Sequence, residues 1–79
     1  MSIYPNPNSG TFTISYEKKN TAELRLQLID ITGNIIYEES KHHSDKTEFT
    51  LHQNELAKGI YWIKLNDGSA DYSTPIIIQ

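Results

Sequence analysis

The sequence predicts an all-β fold in which two sheets pack face to face as a β-sandwich. Three observations support this prediction. Isoleucine, threonine and tyrosine supply 11, 7 and 5 of the 79 residues, apolar side chains alternate with polar ones, and turn signals recur about every ten residues. β-branched and aromatic side chains pack well on a pleated surface, and strict alternation directs one face of each strand into a core.

Seven strands are expected in chain order, most of them marked by alternating apolar residues. A short first strand is predicted over Ser2 to Tyr4 and a last one near Ala70 to Ile78. The five strands between them carry the apolar sets Phe12, Ile14 and Tyr16; Leu24, Leu26 and Leu28; Ile35 and Tyr37; Phe49 and Leu51; and Tyr61, Ile63 and Leu65. Each set is expected on the core side, because successive side chains of a strand point to opposite faces.

Three clusters of turn-forming residues separate these strands. The first runs from Pro5 to Gly10, where two prolines fix φ and a glycine can take a positive φ. The second surrounds Thr32-Gly33, and the third is Asn66-Asp67-Gly68, which is a hairpin signal. A two-residue loop at Asp67-Gly68 would place Leu65 opposite Ala70, Lys64 opposite Asp71, Ile63 opposite Tyr72 and Tyr61 opposite Thr74.

The segment from Leu56 to Tyr61 has the Leu, Gly and Tyr spacing of a tyrosine corner. In this feature a buried tyrosine near the start of a strand returns its hydroxyl to the backbone a few residues upstream. We therefore expect Leu56, Gly59 and Tyr61 to tie a crossover between the two sheets. Tyr61 is then a structural anchor and not a catalytic residue.

Length, charge and composition exclude several classes of function. The 79 residues are expected to form one domain, 1–79. The net charge is −3, from seven basic and ten acidic residues, so we expect no basic surface that could bind nucleic acid. No apolar run, Ile76 to Ile78 included, approaches the ~18 residues of a membrane span, so no direct membrane insertion is expected. Without cysteine there is no disulfide or thiolate site.

The titratable residues do not form the pattern of an enzyme or a metal site. His42 and His43 are adjacent, and so are Glu38 and Glu39. Neighbouring side chains of a strand point to opposite faces, so the two histidines would not bind one metal ion and the two glutamates would not flank one bond as a catalytic pair. We interpret the histidines as part of a solvated loop and the glutamates as a solvated strand end. No serine lies in a nucleophile elbow and no glycine-rich loop opens a helix. We expect no enzyme activity, no metal and no cofactor.

Trp62 is predicted to face outward, because its two chain neighbours belong to the core set. It would lie beside Ile60 and opposite Ser73. Three interpretations remain open: a stacking platform for sugars, a contact for a protein partner, or a ring covered by a neighbouring loop. Ile77 falls on the same outer face, and Pro75 denies the last strand one ladder hydrogen bond, which suits an edge strand.

Three motifs stand in a fixed order along the chain. They are Ile3-Tyr4-Pro5-Asn6-Pro7 with Gly10 shortly after, Ile29-Asp30-Ile31-Thr32-Gly33 running into Ile35-Ile36-Tyr37, and Leu56-Ala57-Lys58-Gly59-Ile60-Tyr61. With the isoleucine-rich end of the chain, this ordered set resembles the C-terminal sorting domain, type A, of proteins exported by the type IX secretion system. The resemblance extends from Ile3 to Gln79.

The resemblance implies an immunoglobulin-like β-sandwich of about seven antiparallel strands with Greek-key connections. It also implies a non-catalytic sorting signal at the C-terminus of large cargo proteins of Bacteroidota. The implied partners are periplasmic and outer-membrane components of the type IX system, including a sortase-type peptidase that removes the domain. The implied location is the periplasm in transit, followed by the outer-membrane surface or the medium.

The family motifs are carried over residue by residue. They fall on Pro5, Asn6, Pro7, Gly10, Asp30, Thr32, Gly33, Gly59 and Tyr61. Recognition in the family is thought to concentrate in the last strands, so the candidate docking residues are Trp62, Pro75, Ile76, Ile77 and Ile78. The chain departs from the family in one respect, because no Lys or Arg follows Lys64 before the final apolar run.

The sequence also leads to expectations about the origin of the chain and leaves two alternative functions open. We expect a domain excised from a longer protein, with Met1 and Ser2 added at its start and the cleavage site upstream of Ile3. An unpaired edge strand leaves weak self-association open. The alternative function is a carbohydrate-binding or adhesive module, based on Trp62 with Tyr61 and Tyr72 nearby, and a third is an inert spacer between other domains.

Overall fold

Two antiparallel sheets make up the computed structural model of the chain, which describes residues 1–79. The strands are β1 (Ser2–Tyr4), β2 (Thr11–Glu17), β3 (Ala22–Ile29), β4 (Ile35–His43), β5 (Lys46–His52), β6 (Gly59–Asn66) and β7 (Asp71–Ile78). The first sheet has the order β1-β2-β5 and the second the order β4-β3-β6-β7. These findings confirm the predicted all-β, immunoglobulin-like sandwich of seven strands. None of the chain forms a helix that could span a membrane.

The core lies between the two sheets and consists of the inward side chains of five strands. Thirteen buried apolar residues form it: Phe12, Ile14, Tyr16, Leu24, Leu26, Leu28, Phe49, Leu51, Tyr61, Ile63, Leu65, Ile76 and Ile78. Burying one side chain of this size contributes about 1.5–3 kcal/mol, so this layer is the main stabilising element. The apolar residues that β1 and β4 contribute, among them Ile3 and Tyr37, are only partly buried.

A β-bulge between β3 and β4 turns Ile35 away from the core. Leu28 pairs with Tyr37, but the next residue of β3, Ile29, pairs with Ile35, so Ile36 is an extra residue. Ile36 and Tyr37 pack against the core, whereas Ile35 is 54% exposed. The prediction that Ile35 and Tyr37 share the inward face is therefore wrong, because the extra residue shifts the alternation by one position.

The β6–β7 hairpin has a four-residue loop, 67–70, where the sequence predicted a two-residue loop. Each predicted partner is wrong by two positions: Leu65 pairs with Tyr72, Lys64 with Ser73, Ile63 with Thr74 and Tyr61 with Ile76. The physical cause is the side chain of Asp67, whose Oδ1 accepts the N–H groups of Ser69 at 2.9 Å and Ala70 at 2.8 Å. A shift of two leaves every side chain on its predicted face, because the period of a strand is two.

A buried polar cluster closes the end of the core beside this loop. The Tyr16 hydroxyl donates to Asp67 Oδ2 at 2.8 Å, and Lys18 Nζ lies 3.8 Å from the same oxygen. His43 is fully buried with its ring centroid 4.7 Å from that of Tyr16. Its Nε2 donates to the Lys18 carbonyl at 2.8 Å, and its Nδ1 is hydrogen-bonded to the Thr47 hydroxyl at 2.7 Å. The expectation of a solvated histidine loop is therefore wrong for His43, which is a core residue at the end of β4.

The buried carboxylate of Asp67 makes stability depend on pH. Hydrogen bonds from the N–H groups of Ser69 and Ala70 and from the Tyr16 hydroxyl, with the charge of Lys18, lower the pKa of Asp67 from 3.8 to about 2, against the opposing effect of burial. A carboxyl whose pKa is lower in the folded state stabilises the fold as a carboxylate. We expect this stabilisation to be complete above about pH 4 and to be lost as the pH falls toward 2.

Urea denaturation at a series of pH values from about 5 to about 2 measures this effect. The wild type should lose more stability over this range than Asp67→Asn, whose side chain cannot ionise. Equal losses in the two proteins would contradict the assignment of the effect to Asp67.

Candidate docking surface

The loop between β1 and β2, which carries the first motif, lies along the outer edge of β7. Asn6 Oδ1 accepts the N–H of Ile77 at 3.0 Å, and Asn6 Nδ2 donates to the carbonyl of Pro75 at 3.4 Å. The backbone N–H of Asn8 donates to the Ile77 carbonyl at 3.0 Å, and its carbonyl accepts the N–H of Gln79 at 2.8 Å. The first motif therefore joins the first loop of the chain to its last strand.

Asn8 and Gly10 fix the shape of this loop, in which the peptide bonds before Pro5 and Pro7 are cis. Asn8 Nδ2 donates to the Pro5 carbonyl at 3.1 Å, and Asn8 Oδ1 accepts the N–H of Gly10 at 2.8 Å. Gly10 has a φ of +112°, and its carbonyl accepts the N–H of Gln53 at 2.7 Å. Asn8 is not among the residues predicted from the sequence. Its position two residues before a glycine, inside a turn cluster, is the signal that could have identified it.

β7 is an edge strand, but only its first residues present an open edge. The backbone N–H and C=O groups of alternate residues of β7 point away from β6. Those of Pro75 and Ile77 face the Asn6–Asn8 segment, whereas those of Asp71 and Ser73 form the open part of the edge. The backbone nitrogen of Pro75 points away from β6. Its missing N–H therefore removes no hydrogen bond from the β6–β7 ladder, and the prediction that it does is wrong. The open edge is thus shorter than the sequence predicted.

The second and third motifs also use their polar groups inside the domain. Asp30 Oδ1 accepts the Thr32 hydroxyl at 2.7 Å, the Thr32 N–H at 3.0 Å and the Asn34 N–H at 2.9 Å, and these bonds lower the pKa of Asp30. The Tyr61 hydroxyl donates to the Ala57 carbonyl at 2.7 Å, which is the geometry of a tyrosine corner. Gly59 opens β6 with a φ of +152°. These motif residues therefore shape turns and a crossover.

The outer face of the four-stranded sheet carries an apolar row that crosses all four strands. Ile35 pairs with Ile29, Ile29 with Trp62, and Trp62 with Pro75. Trp62 is 41% exposed, so its predicted outward orientation is confirmed. Its cross-strand partner is Pro75 and not Ser73, because of the two-residue shift in the hairpin.

Three of the five candidate docking residues are on this face, and two are not. Trp62, Pro75 and Ile77 are exposed there. Ile76 and Ile78 are 0% and 3% exposed, because even-numbered residues of β7 point into the core. The prediction that all three isoleucines offer contacts to a partner is therefore wrong for Ile76 and Ile78.

The remaining titratable residues are dispersed. No group of three or more histidine, aspartate or glutamate side chains converges as metal ligands would. Glu38 and Glu39 were predicted at a strand end, but they lie in the middle of β4.

A shallow groove of about 410 Å³ lies beside the apolar row. It is lined by Asp30, Ile31, Ala57, Lys58, Gly59, Ile60 and Tyr61.

Removing the Asn6 side chain should loosen the last strand. Asn6→Ala loses two hydrogen bonds to β7, and we expect a loss of about 1–2 kcal/mol in the free energy of unfolding. Hydrogen exchange adds a local readout, because the N–H of Ile77 should exchange faster while that of Ile76, which faces β6, should not. Asn54→Ala, which loses one bond to Thr11, is the control. Unchanged exchange at Ile77 would contradict the role given to Asn6.

Gly10 should tolerate no larger residue. A Cβ there would lie 2.5 Å from the Gln53 carbonyl oxygen and 2.9 Å from Asn54 Cα. Left-handed strain and overpacking together predict a loss of about 2–4 kcal/mol for Gly10→Ala. Gly68 also has a positive φ, +91°, but nothing lies within 4 Å of its Cβ position, so Gly68→Ala isolates the strain. Thermal unfolding measures the loss of stability in both variants. If Gly10→Ala and Gly68→Ala lost the same stability, the predicted clash with Gln53 would be contradicted.

Comparison with known families accounts for the three motifs together. A model of the secretion system C-terminal sorting domain matches residues 2–79, nearly the whole chain. No curated protein matches the chain. The match covers the loop that holds β7, the Asp30 turn, the tyrosine corner and both sheets. The chain belongs to the family of type IX secretion C-terminal sorting domains.

Proposed function

We propose that this domain is a non-catalytic signal of the type A form that directs a cargo protein across the outer membrane through the type IX system. The observation that carries this proposal is the family match over residues 2–79. The family is one of secretion signals and not of catalytic domains. The fold supports the proposal, because the polar groups of the motifs are engaged in internal hydrogen bonds.

The partners in this proposal are periplasmic and outer-membrane components of the type IX machinery. A sortase-type peptidase among them removes the domain, and the cargo is anchored at the surface or released. The machinery reads the folded domain at the exposed residues Trp62, Pro75 and Ile77. Burial of Ile76 and Ile78 supports this choice, because a partner cannot contact those side chains while the sandwich is folded.

The alternative, a carbohydrate-binding module, loses its main support. It depended on Tyr61 and Tyr72 lying near Trp62. Tyr61 is a core residue, and the Tyr72 ring lies 5.7 Å from that of buried Tyr16, so both are on the inner side of their sheet. Trp62 therefore stands without another aromatic ring on the outer face, among the aliphatic neighbours Ile29 and Pro75.

The decisive experiment fuses residues 3–79 behind a fluorescent passenger with a periplasmic signal peptide. It is expressed in a bacterium that has a type IX system and in a translocon-deficient derivative. We expect the passenger at the surface or in the medium only when the translocon is intact. Passenger retained in the periplasm of both strains, with the domain folded, would contradict the proposal.

Deletion of β7 is a poor substitute for this experiment. Removing Tyr72 to Gln79 takes Ile76 and Ile78 out of the core and leaves the edge of β6 unpaired. Loss of export would then report loss of the fold as well as loss of a signal. Single substitutions on the outer face avoid this ambiguity.

A further inference from the structure

One end of the outer face of the four-stranded sheet is apolar. Of the seven exposed large hydrophobic side chains in the chain, five lie at this end: Ile31, Ile35, Ile60, Trp62 and Ile77. Strand pairing aligns Ile29 and Pro75 with Trp62 in one row, and Ile60 with Ile77 in the next. An exposed apolar cluster of this kind marks an interaction site more often than scattered single residues do.

The rest of this face carries charges of both signs. Three cations and four acids lie on it or at its groove, and they are Arg25, Lys58, Lys64, Glu23, Asp30, Glu38 and Asp71. The three cations form no ion pair within the chain. Glu38 and Asp71 accept hydrogen bonds from neutral amides, which leave their negative charge in place. The face therefore differs from neutrality by one charge, although the chain as a whole carries −3.

The charges of the face follow the strand pairing in two rows. In the strand order β4-β3-β6-β7, the first row is Glu38, Gln27, Lys64 and Ser73, and the second is Ser40, Arg25, Asn66 and Asp71. In each row the acid lies on an outer strand of the sheet, and the cation lies two strands away on an inner strand. Neighbouring strands are about 4.8 Å apart, so about 10 Å separates the backbone positions of the acid and the cation of a row.

We propose that this face docks a second copy of the chain, related to the first by a two-fold axis that is parallel to the strands and midway between β3 and β6. Such an axis lays β4 over β7 of the second copy and β3 over its β6, and it keeps every row over itself. Trp62 then faces Ile29 of the second copy, and Pro75 faces its Ile35. The two apolar ends cover each other, as the inner faces of two packed sheets do.

The same axis brings cations beside acids. Lys64 comes within one strand of Glu38 of the second copy, and Arg25 comes within one strand of its Asp71. Each row then runs acid, cation, cation, acid across the interface and carries no net charge. Neighbours of opposite sign outnumber neighbours of like sign by two to one, so both rows favour association.

The groove of about 410 Å³ adds a third set of opposite charges. Asp30, just after β3, and Lys58, just before β6, both line this groove. Because the axis passes between β3 and β6, Lys58 of each copy faces the wall that carries Asp30 of the other. Every cation of the face thus gains an acid of the second copy, and only Glu23, beyond the second row, is left without a counterpart.

This self-complementarity favours a second copy over other occupants. A two-fold axis across the strands would lay the apolar end of one copy on the charged end of the other. A different protein would have to supply both rows of charge at the same spacing, which a second copy supplies by symmetry. An anionic membrane is bound by clusters of about four to eight basic residues, whereas acids outnumber cations on this face.

The size of the face indicates a reversible dimer. Four strands about 4.8 Å apart and about 27 Å long have a projected area of about 500 Å². A standard interface buries about 800 Å² on each partner, so we expect dissociation at micromolar concentrations or above. The dimer covers Trp62, Pro75 and Ile77, at which we place recognition by the export machinery. The inference goes beyond the proposed function, because it makes dissociation of a dimer a step before that recognition.

Sedimentation velocity of the purified chain tests for the dimer. From about 1 µM to about 1 mM, the weight-average sedimentation coefficient should rise from that of a monomer toward that of a dimer. The single tryptophan, Trp62, lies in the interface, so its fluorescence should shift to shorter wavelength over the same range. Trp62→Ala should raise the dissociation constant at least about tenfold. A wild type that remains monomeric throughout this range, or an unchanged dissociation constant in Trp62→Ala, would overturn the inference.

Charge reversal tests the orientation of the two copies. Across the interface, the first row would hold four acids in Lys64→Glu and four cations in Glu38→Lys, so each variant alone should raise the dissociation constant about tenfold or more. In an equimolar mixture of these two variants, acids and cations alternate along the row, so dimers should form again. Only a contact between two copies across this row gives that recovery.

Lys19→Glu and Glu55→Lys are the matched controls, because they change the net charge by the same amounts and lie outside this face. Each control should dimerise as the wild type does. If Lys64→Glu and Glu38→Lys dimerised as well as the controls, or if their mixture remained monomeric, the proposed axis would be wrong.

The outcomes are distinct from those of the export experiment. A monomeric chain whose passenger fusion is exported overturns the dimer alone. A dimeric chain whose passenger fusion stays in the periplasm overturns the proposed function alone.

Discussion

The position of the last strand depends on hydrogen bonds at both of its edges, to β6 on one side and to the Asn6–Asn8 segment on the other. The two sheets otherwise meet mainly through side-chain packing, whereas the latter bonds tie a loop of the three-stranded sheet to the last strand of the other. They satisfy backbone groups that an edge strand would leave open. Holding β7 in place also keeps Ile76 and Ile78 in the core. The β6–β7 register that buries them also places Pro75 and Ile77 on the outer face of the sheet.

β6 and β7 serve two purposes because the strand period is two. Their inward residues complete the core, and their outward residues form the exposed surface at which we place recognition. These outward residues come from distant parts of the chain and lie together only in the folded domain.

The three family motifs are explained by structure before recognition is considered. Asn6 and Asn8 hold the edge, Asp30 builds a turn, and Tyr61 anchors a crossover. The same motif segments also contribute exposed apolar residues, Ile31, Ile35 and Ile60.

The sequence by itself determined the all-β class, the strands, the inward set in most of them, the tyrosine corner and the outward position of Trp62. Each of these follows from local pattern, because alternation and turn residues act over a few neighbours. The tertiary structure alone decided the wider Asp67 loop, the bulge that exposes Ile35, the burial of His43 and the contact between Asn6 and Ile77. That contact joins residues 71 positions apart, and such pairings depend on how whole strands pack and not on any local preference.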